Sequence, residues 1–457
     1  RATVVNTLLL SKCWYILRVT PLTQQDLHKI TSVMIQFLRR GIFPAIPWST
    51  WTLPKNQGGL GVLDVPAQYM ALYFRWGQPL VTTSSASTDA DPLSNMLIQH
   101  VKNHNRTEFH QIPLLFPTTR KTFTRKNRIS TIDILYRCID ALPRNYDSVS
   151  INHNTGLVLP LLAVFYPNVS NSFQIPSKMK EMTVANVFQY NPDRRFLHWK
   201  DWQDPTLRHW KQAPKKIFQG IQSGELQLQP FFLPLCLPAD SSGSPIDAPP
   251  PVLFSPFVQQ LEVFQDVGLV TKITTKTFRQ ACASATVAPA YLSFVATTHW
   301  QLIWSLCLTM VQRNVVYRFI NNCIPHKARL NRIFPELHPS NLCMICSSSV
   351  DSSEHFLFDC PAKASVWQAV IFEFLWPTVT ISDIILAIRS FDFYNIRYSQ
   401  RNGVPASVIV FITLANIWRS HFRTVFDRTP FTTAAVLAGI RLDISKRIDK
   451  DHVHILL

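Results

Sequence analysis

The sequence is poor in glycine, in acidic residues and in long apolar runs. Only 12 of its 457 residues are glycine while 32 are proline, against usual shares of about 7% and 5%. Because few glycines permit few left-handed turns, we expect helices joined by proline-rich connections, with little hairpin-rich sheet. The longest apolar run, residues 404–418, is too short to span a bilayer and contains Asn416. It predicts a buried core helix, and we expect no membrane partner.

Motifs of several enzyme classes are also missing. The sequence contains no Asp-Asp pair, no P-loop, no H-E-x-x-H and no G-x-S-x-G. Since carboxylates are few and unclustered, we predict a chain that is not an enzyme, with no catalytic residues and no small-molecule substrate. A nuclease that uses dispersed carboxylates stays an alternative, which Mg²⁺-dependent cleavage of a duplex would reveal.

Basic residues dominate the charge, with 45 Lys and Arg against 28 Asp and Glu, a net charge of +17. Such an excess favours a polyanionic partner, and nucleic acid more than a membrane surface. Residues 1–80 hold eight basic and two acidic residues, and residues 311–335 hold five basic residues and no carboxylate. The first candidates for phosphate contacts are Arg313, Arg318, Lys327, Arg329 and Arg332, and the second are Lys12, Arg18, Arg39 and Arg40. The alternative is a basic face that only keeps the protein soluble.

Hydrophobic periodicity indicates a mainly α protein. Helices are predicted over residues 2–18, from Thr23 to about residue 39, and over residues 65–76, 382–390, 404–426 and 431–449. Another begins at Pro361. We predict a helical region at 1–92, a helical, poorly assigned middle region at 93–233, a Pro/Ser-rich linker at 234–256 and a C-terminal helical domain at 257–457. A small metal-binding module is expected within the last domain, at about 297–376.

The middle region interleaves aromatic and basic residues. A basic cluster at 120–128 precedes the stretch Arg194-Arg-Phe-Leu-His-Trp-Lys-Asp-Trp202, which is followed by Trp210 and Lys211. Rings and cations in this arrangement can stack on bases and hold phosphates. Tryptophans in a small helical core give the same composition, and we favour that interpretation, with the charges on a solvated face.

Six of the nine cysteines are isolated in the sequence, namely Cys13, Cys138, Cys236, Cys282, Cys307 and Cys323. Because they form no paired framework, we predict small buried side chains in a reducing compartment. The sequence shows no signal peptide, and we expect an intracellular, nuclear protein.

The other three cysteines lie within 18 residues, together with a histidine. Cys343, Cys346, His355 and Cys360 follow the spacing C-x₂-C-x₈-H-x₄-C, which suits a closed tetrahedral Zn²⁺ site. Four protein ligands leave no position for water, so the predicted cofactor is structural zinc. The alternative is four core residues at a chance spacing, with His355 a core histidine among apolar neighbours.

This spacing resembles the C-terminal zinc-binding region of non-LTR (LINE-type) retrotransposon reverse transcriptases. Its surroundings resemble that region too: Trp304, Cys323-Ile-Pro-His-Lys-Ala-Arg-Leu330, Ser353-Glu-His355 and Cys360-Pro-Ala…Val366-Trp367. Lys55-Asn-Gln-Gly-Gly-Leu-Gly-Val-Leu-Asp64, followed by an apolar helix ending in Arg75-Trp76, is similar to a segment after the polymerase core of those proteins. The matches cover roughly residues 1–80 and 297–370.

The resemblance implies an origin in a polymerase that copies element RNA into DNA at a nicked target. Such polymerases hold two Mg²⁺ ions on palm aspartates that include an Asp-Asp box, and this box is absent here. Because the chain starts at Arg1 within a helical pattern, we expect a fragment whose palm lies upstream. The resemblance implies thumb- or connector-like helices at 1–92 and a C-terminal module that together bind nucleic acid without catalysis. The expected partner is element RNA, target DNA or both. Alternatives are a structural or protein-interaction module stapled by zinc, and a decayed remnant without activity.

Overall fold

The structure is a computed structural model. It describes residues 1–39, 45–83, 91–121, 130–168, 173–201, 203–210, 212–238, 250–265, 268–284, 289–292, 294–398 and 403–456, with the backbone alone at 284, 291 and 450–456. Several predicted features lie outside these residues: Arg40, Trp202, Lys211, most of the basic cluster (122–129) and the centre of the linker (239–249). The small, polar stretch 82–92 predicts a surface loop, and residues 84–90 of it also lie outside the described residues.

The chain divides into two compact units, each assembled from separate stretches of sequence. The first comprises Arg1–Leu9, Thr31–Leu63 and Val287–Leu457, and the second comprises Leu10–Ile30 and Asp64–Thr286. The four domains predicted above are continuous ranges, so this division by contacts does not test their boundaries, which stay a prediction.

Helices make up most of the first unit. Its α-helices are Ala2–Val4, Trp48–Thr52, Thr297–Ser305, Met310–Ile320, Lys327–Ile333, Pro361–Phe374, Ile381–Ser390, Ala406–Asp427 and Thr433–Leu456. It also contains the 3₁₀ turns Lys55–Gln57 and Ala290–Leu292 and the π-helical turn His355–Asp359. The helix Gln24–Arg39 and the π-helical turn Val5–Leu10 have residues in both units.

The second unit combines helices with two small sheets. Its α-helices are Ser11–Leu17, Val65–Thr82, Pro92–Asn105, Gln111–Leu115, Thr131–Asp140, His153–Val158, Leu161–Val164, Val184–Val187, Pro205–Arg208, Ala213–Gln222, Ser255–Gln259, Glu262–Gln265 and Thr275–Ser284. Its 3₁₀ turns are Pro117–Thr119, Ser177–Glu181 and Pro230–Cys236. Phe165–Pro167 pairs antiparallel with Leu226–Leu228, and Phe188–Asn191 pairs antiparallel with Phe196–Trp199.

The mainly α fold is confirmed. Ala406–Asp427, the helix predicted from the longest apolar run, is buried along most of its first three turns and packs against Met310–Ile320 and Thr433–Leu456. Its Asn416 hydrogen-bonds Asp443 and so has a polar partner. Among the described residues, no helix combines the length and the apolar character that crossing a membrane requires.

The described strands are few, as predicted. One feature was not predicted and one detail was wrong. The hairpin Phe188–Trp199 forms without glycine, because the Asn191 side chain accepts hydrogen bonds from the amides of Asp193 and Arg194 while Arg195 takes a positive φ of 51°. In the aromatic and basic stretch, Leu197 is buried, Trp199 and Trp210 are half-buried and Arg194 is exposed. Trp199 lies on a strand and not on a helix, so the predicted helical core is not found at this position.

Of the six isolated cysteines, which were predicted to be buried, Cys138 and Cys323 are buried and Cys13, Cys236 and Cys282 are half-buried. Cys307 is exposed, since it lies in the short link between two helices.

Within the first unit, the turn around Gly58 packs against the helices Thr297–Ser305 and Met310–Ile320. The Trp304 indole donates to the Lys55 carbonyl at 2.9 Å, and the Tyr317 hydroxyl donates to the Gly58 carbonyl at 2.8 Å. Gly58 has φ +85°, and a Cβ at this position would lie 2.7 Å from the Trp300 ring. Glycine is required here by both backbone conformation and space.

Candidate metal centre

A tight turn presents the first two cysteines. Leu342 and Val350 form an antiparallel bridge, and the Cys343 amide donates to the Ser349 carbonyl at 2.9 Å. The Ser347 amide donates back to the Cys343 carbonyl at 2.8 Å, with Ser347 at φ 54°. The turn also directs the Ile345 amide at the Cys343 sulfur, 3.4 Å away. An amide at this position stabilises a thiolate, because it donates to the charged form of the sulfur.

A π-helical turn presents the other two ligand side chains. In the turn His355–Asp359 the Cys360 amide donates to the His355 carbonyl, five residues back, at 3.3 Å. A residue five positions on therefore returns to the same side of the backbone, which explains how an H-x₄-C spacing can serve one site. Pro361 then opens the helix Pro361–Phe374 with Cys360 as its N-cap, as predicted.

The four side chains converge. The Cys343 and Cys360 sulfurs are 4.0 Å apart, and the Cys346 sulfur lies 3.4 Å from Nε2 of His355. All four ligand atoms lie within 4.8 Å of one another. Ligands at the usual zinc distances of about 2.0–2.3 Å would be separated by roughly 3.3–3.8 Å in a tetrahedron. The donor set and its spacing therefore fit zinc after small side-chain adjustments, and chance placement of four core residues is not the better interpretation.

The site is mostly enclosed, and its three thiols differ in burial and in pKa. Cys343 and Cys360 are buried, whereas Cys346 is half-buried. A hydrogen bond from the Cys360 thiol lowers the pKa of the Cys343 thiol to about 4, and the same contact raises the pKa of Cys360. Burial raises the pKa of Cys346, but hydrogen bonds from Ser348, Ser349 and His355 outweigh it and lower that pKa to about 7. Thiolate ligands are thus favoured at two of the three sulfurs.

A buried lysine lies beside the sulfurs. Lys363 is 0% exposed. Its Nζ donates to the Phe356 carbonyl at 2.6 Å and lies 4.7 Å from the centroid of the Phe356 ring. Burial lowers the pKa of Lys363, while the charges of Cys343 and Cys360 oppose that shift. Three thiolates around Zn²⁺ leave one net negative charge, which a buried ammonium would balance.

Aromatic side chains pack against the π-helical turn His355–Asp359 and hold it in place. The Phe358 ring stacks on Trp367 with centroids 5.4 Å apart, and the Trp367 indole donates to the Leu357 carbonyl at 2.9 Å. Phe319 contacts Phe358 from the helix Met310–Ile320, also at 5.4 Å. His355 is therefore held on a rigid element whose apolar side chains face the core.

Asp351 joins the spacer between the ligands to the basic helix Lys327–Ile333. Its side chain is fully buried, and its Oδ2 accepts from the Lys327 amide at 2.8 Å. Its main-chain carbonyl lies 2.7 Å from Nδ1 of His326, and since a carbonyl can only accept, this nitrogen carries the proton. The Ala328 amide donates to the same carbonyl at 3.3 Å. The first turn of the basic helix is thus fastened to a residue four positions before His355.

The predicted phosphate-contacting residues differ in accessibility. Arg332 is exposed and has no hydrogen-bond partner among the described residues, while Lys327 and Arg329 are half-buried, with the Lys327 ammonium 3.4 Å from His338. Arg313 donates to the Leu306 carbonyl at 2.9 Å. Arg318 is 5% exposed and donates to the Cys323 carbonyl and to Asn314. Its guanidinium faces inward, so we leave Arg318 out of the contacts proposed below.

The secondary candidates are distributed over the two units. Lys12 and Arg18 are exposed and belong to the second unit, whereas Arg39 is half-buried and belongs to the first. No described contact connects Lys12, Arg18 or Arg39 with the metal site, and Arg40 lies outside the described residues.

Comparison with known protein families adds an independent observation. The model of the family described as zinc-binding in reverse transcriptase matches residues 286–367, which include all four ligand side chains. This stretch is a reverse-transcriptase-associated zinc-binding domain. The match covers less than a fifth of the chain, and no curated protein matches the sequence.

Sequence reasoning missed two residues of this domain, Asp351 and Lys363. Asp351 sits in the polar spacer with a second acidic residue, Glu354, and nothing in the sequence distinguishes the two. Lys363 follows Cys360 by three residues, so an α-helical projection from Pro361 could have placed it facing the ligands.

Proposed function

We propose that this chain is a non-catalytic, nucleic-acid-binding part of a non-LTR retrotransposon reverse transcriptase, built around a structural zinc site. Zinc held by Cys343, Cys346, His355 and Cys360 would supply folding free energy and no reaction chemistry, since four protein ligands leave no position for substrate or water. The match to a zinc-binding family of reverse transcriptases supports the origin.

One observation carries the proposal: the hydrogen bonds of Asp351 fasten the ligand-bearing loop to the first turn of the basic helix Lys327–Ile333. Because metal binding fixes that loop, it also fixes the helix that bears Arg329 and the exposed Arg332. A helix of seven residues gains little stability by itself. The metal site therefore organises a basic surface.

The net charge supports a polyanionic ligand. The five basic residues at 311–335 have no carboxylate between them. With Arg318 buried, three of the remaining four charges of this segment, including the exposed Arg332, lie on the helix Lys327–Ile333; the fourth is the half-buried Arg313. Lysine and arginine side chains displace counterions from phosphates, so binding should weaken steeply as salt rises.

The test is filter binding of labelled RNA and DNA to the zinc-loaded chain over a series of salt concentrations. Arg332→Ala should weaken binding and reduce the slope of log K against log salt by about one unit. The matched control is Lys446→Ala, which removes an exposed basic residue far along the C-terminal helix and should leave the slope unchanged. Binding that is absent or insensitive to salt would instead favour a protein-interaction module stapled by zinc.

A further inference from the structure

A surface cleft opens beside the basic helix, within the first unit. It has a volume of about 400 Å³, in the range of pockets that bind small organic groups, roughly 300–1,000 Å³. Its lining combines apolar, amide and guanidinium groups from Phe294, Phe319, Ile320, Asn322, Leu386 and Arg389.

The floor of the cleft is apolar and rigid, whereas its rim is exposed. Phe319 and Ile320 are 3% and 6% exposed and belong to the helix Met310–Ile320. Phe294 on the rim is 75% exposed, and Leu386 is 64% exposed. A large aromatic ring left in water at the mouth of a cleft offers a face on which a flat ligand can stack.

Asn322 supplies an available hydrogen-bonding edge. It has a positive φ of 50°, and its carbonyl accepts a hydrogen bond from Arg329 of the basic helix. Its side-chain amide, exposed at the cleft, has no hydrogen-bond partner in the described part of the chain. An amide offers both a donor and an acceptor, which is the pattern that reads the edge of a base.

Positive charge flanks the cleft. The Arg389 guanidinium lies 5.9 Å from the centroid of the Phe319 ring, is 54% exposed and pairs with Glu354 through one nitrogen. Its other N–H groups stay available for a phosphate. Arg329 donates to the main-chain carbonyl of Asn322, which lines the cleft, so a second guanidinium group is attached to a lining residue.

We propose that this cleft is a binding site for a single unpaired nucleobase of single-stranded RNA or DNA. The base would stack on Phe294 above the floor of Phe319 and Ile320 and bond the Asn322 amide. The inference rests on the proposed function and deepens it, because it names an unpaired strand, rather than duplex, as the ligand of this surface.

The experiment compares two DNA strands of equal length and charge, about 12 nucleotides long. One strand carries bases and the other is fully abasic. The zinc-loaded chain should bind the strand with bases about 5- to 100-fold more tightly, since stacking of one base contributes on that order. Phe294→Ala and Asn322→Gly should each bring the affinity for the intact strand toward that for the abasic strand. Glycine is chosen at position 322 because it keeps the positive φ.

The control variant is Leu337→Ala, which shortens another exposed apolar side chain, 75% exposed and outside the cleft. It should bind both strands as the unaltered chain does, and all three variants should keep the same salt slope. If binding depends on salt but the two strands bind equally, the cleft does not hold a base, although the proposed function survives. If neither strand binds with salt dependence, both proposals fail.

Discussion

Lys363→Met tests whether the buried lysine balances the charge of the metal site. Methionine keeps a similar length and an unbranched shape, so the change removes the ammonium with little change in packing. In the zinc-loaded protein the three thiolates and Zn²⁺ would then keep an unbalanced negative charge in a buried environment. Loss of a residue that supports metal ligands typically costs 10- to 100-fold in affinity, or about 1.4–2.7 kcal/mol.

The zinc-free protein should respond in the opposite direction. There the unaltered chain holds an ammonium that is 0% exposed and donates to one described acceptor, the Phe356 carbonyl. Taking such a charge out of water costs several kcal/mol. The Cys343 thiolate offsets this cost only in part, since burial still lowers the pKa of Lys363, so removing the ammonium should maintain or raise the melting temperature of zinc-free protein. The stabilisation that zinc adds should shrink in the same variant. A purely structural role for Lys363 would lower both melting temperatures together.

The assay is competition for zinc with a chromogenic chelator, combined with thermal melts at saturating zinc and after chelation. Gln368→Met, on an exposed position of the same helix, is the matched control and should behave like the unaltered chain. Equal zinc affinity for Lys363→Met and the unaltered chain, within twofold, would refute the charge-balance argument. Absence of stoichiometric zinc in the unaltered chain would refute the metal site itself.

Three further predictions follow from other parts of the structure. Chelation of zinc should unfold residues around the metal site, because structural zinc supplies on the order of 10 kcal/mol to small modules; an unmoved melt and unchanged amide exchange at 340–376 would contradict this. His110 is buried, its Nε2 lies 2.8 Å from the Leu80 carbonyl, and burial lowers its pKa to about 4 from 6.5. Its contribution is therefore present above pH 6.5 and lost as pH falls, by about 2 kcal/mol at pH 5; urea melts of His110→Gln should show a weaker pH dependence over this interval. Gly58→Ala should destabilise the first unit by roughly 1–3 kcal/mol, because it combines a strained positive φ with a clash against Trp300; a melt equal to that of Gly61→Ala, where φ is also positive but the space is open, would show that the clash is absent.

The metal ligands could be predicted from the sequence because their geometry is local. A C-x₂-C turn and an H-x₄-C turn each form within a few residues, so spacing alone limits where the side chains can point. Pro361 marks the helix start for the same reason, since its fixed φ suits the first helical position. The long helices could also be predicted from the sequence, because a repeated apolar stripe over several turns carries a strong periodic signal.

The hairpin Phe188–Trp199 was missed because its turn uses an alternative to glycine. Low glycine content predicts few left-handed turns only if no other residue takes that conformation, and here Arg195 takes it beside the Asn191 side chain. The sequence also did not reveal which basic residues are exposed to solvent. Arg318 and Arg332 belong to the same basic segment, yet Arg318 is buried and Arg332 is exposed. That difference depends on which helix face meets Cys323 and Trp418.

The spacer between Cys346 and His355 does more than close a loop. A spacer that only set the length could be replaced by any flexible chain of eight residues without consequence beyond the metal. Here it contains Asp351, whose side chain and carbonyl receive the hydrogen bonds of His326 and Lys327. Asp351→Ala should therefore preserve the four ligands while removing the bond from the Lys327 amide. The bonds of His326 and Ala328 to the main-chain carbonyl remain, so the first turn of the basic helix should be loosened at its start. Substitution of a metal ligand should lower the affinity for zinc and for nucleic acid together. Substitution of Asp351 should lower the affinity for nucleic acid while the affinity for zinc is kept.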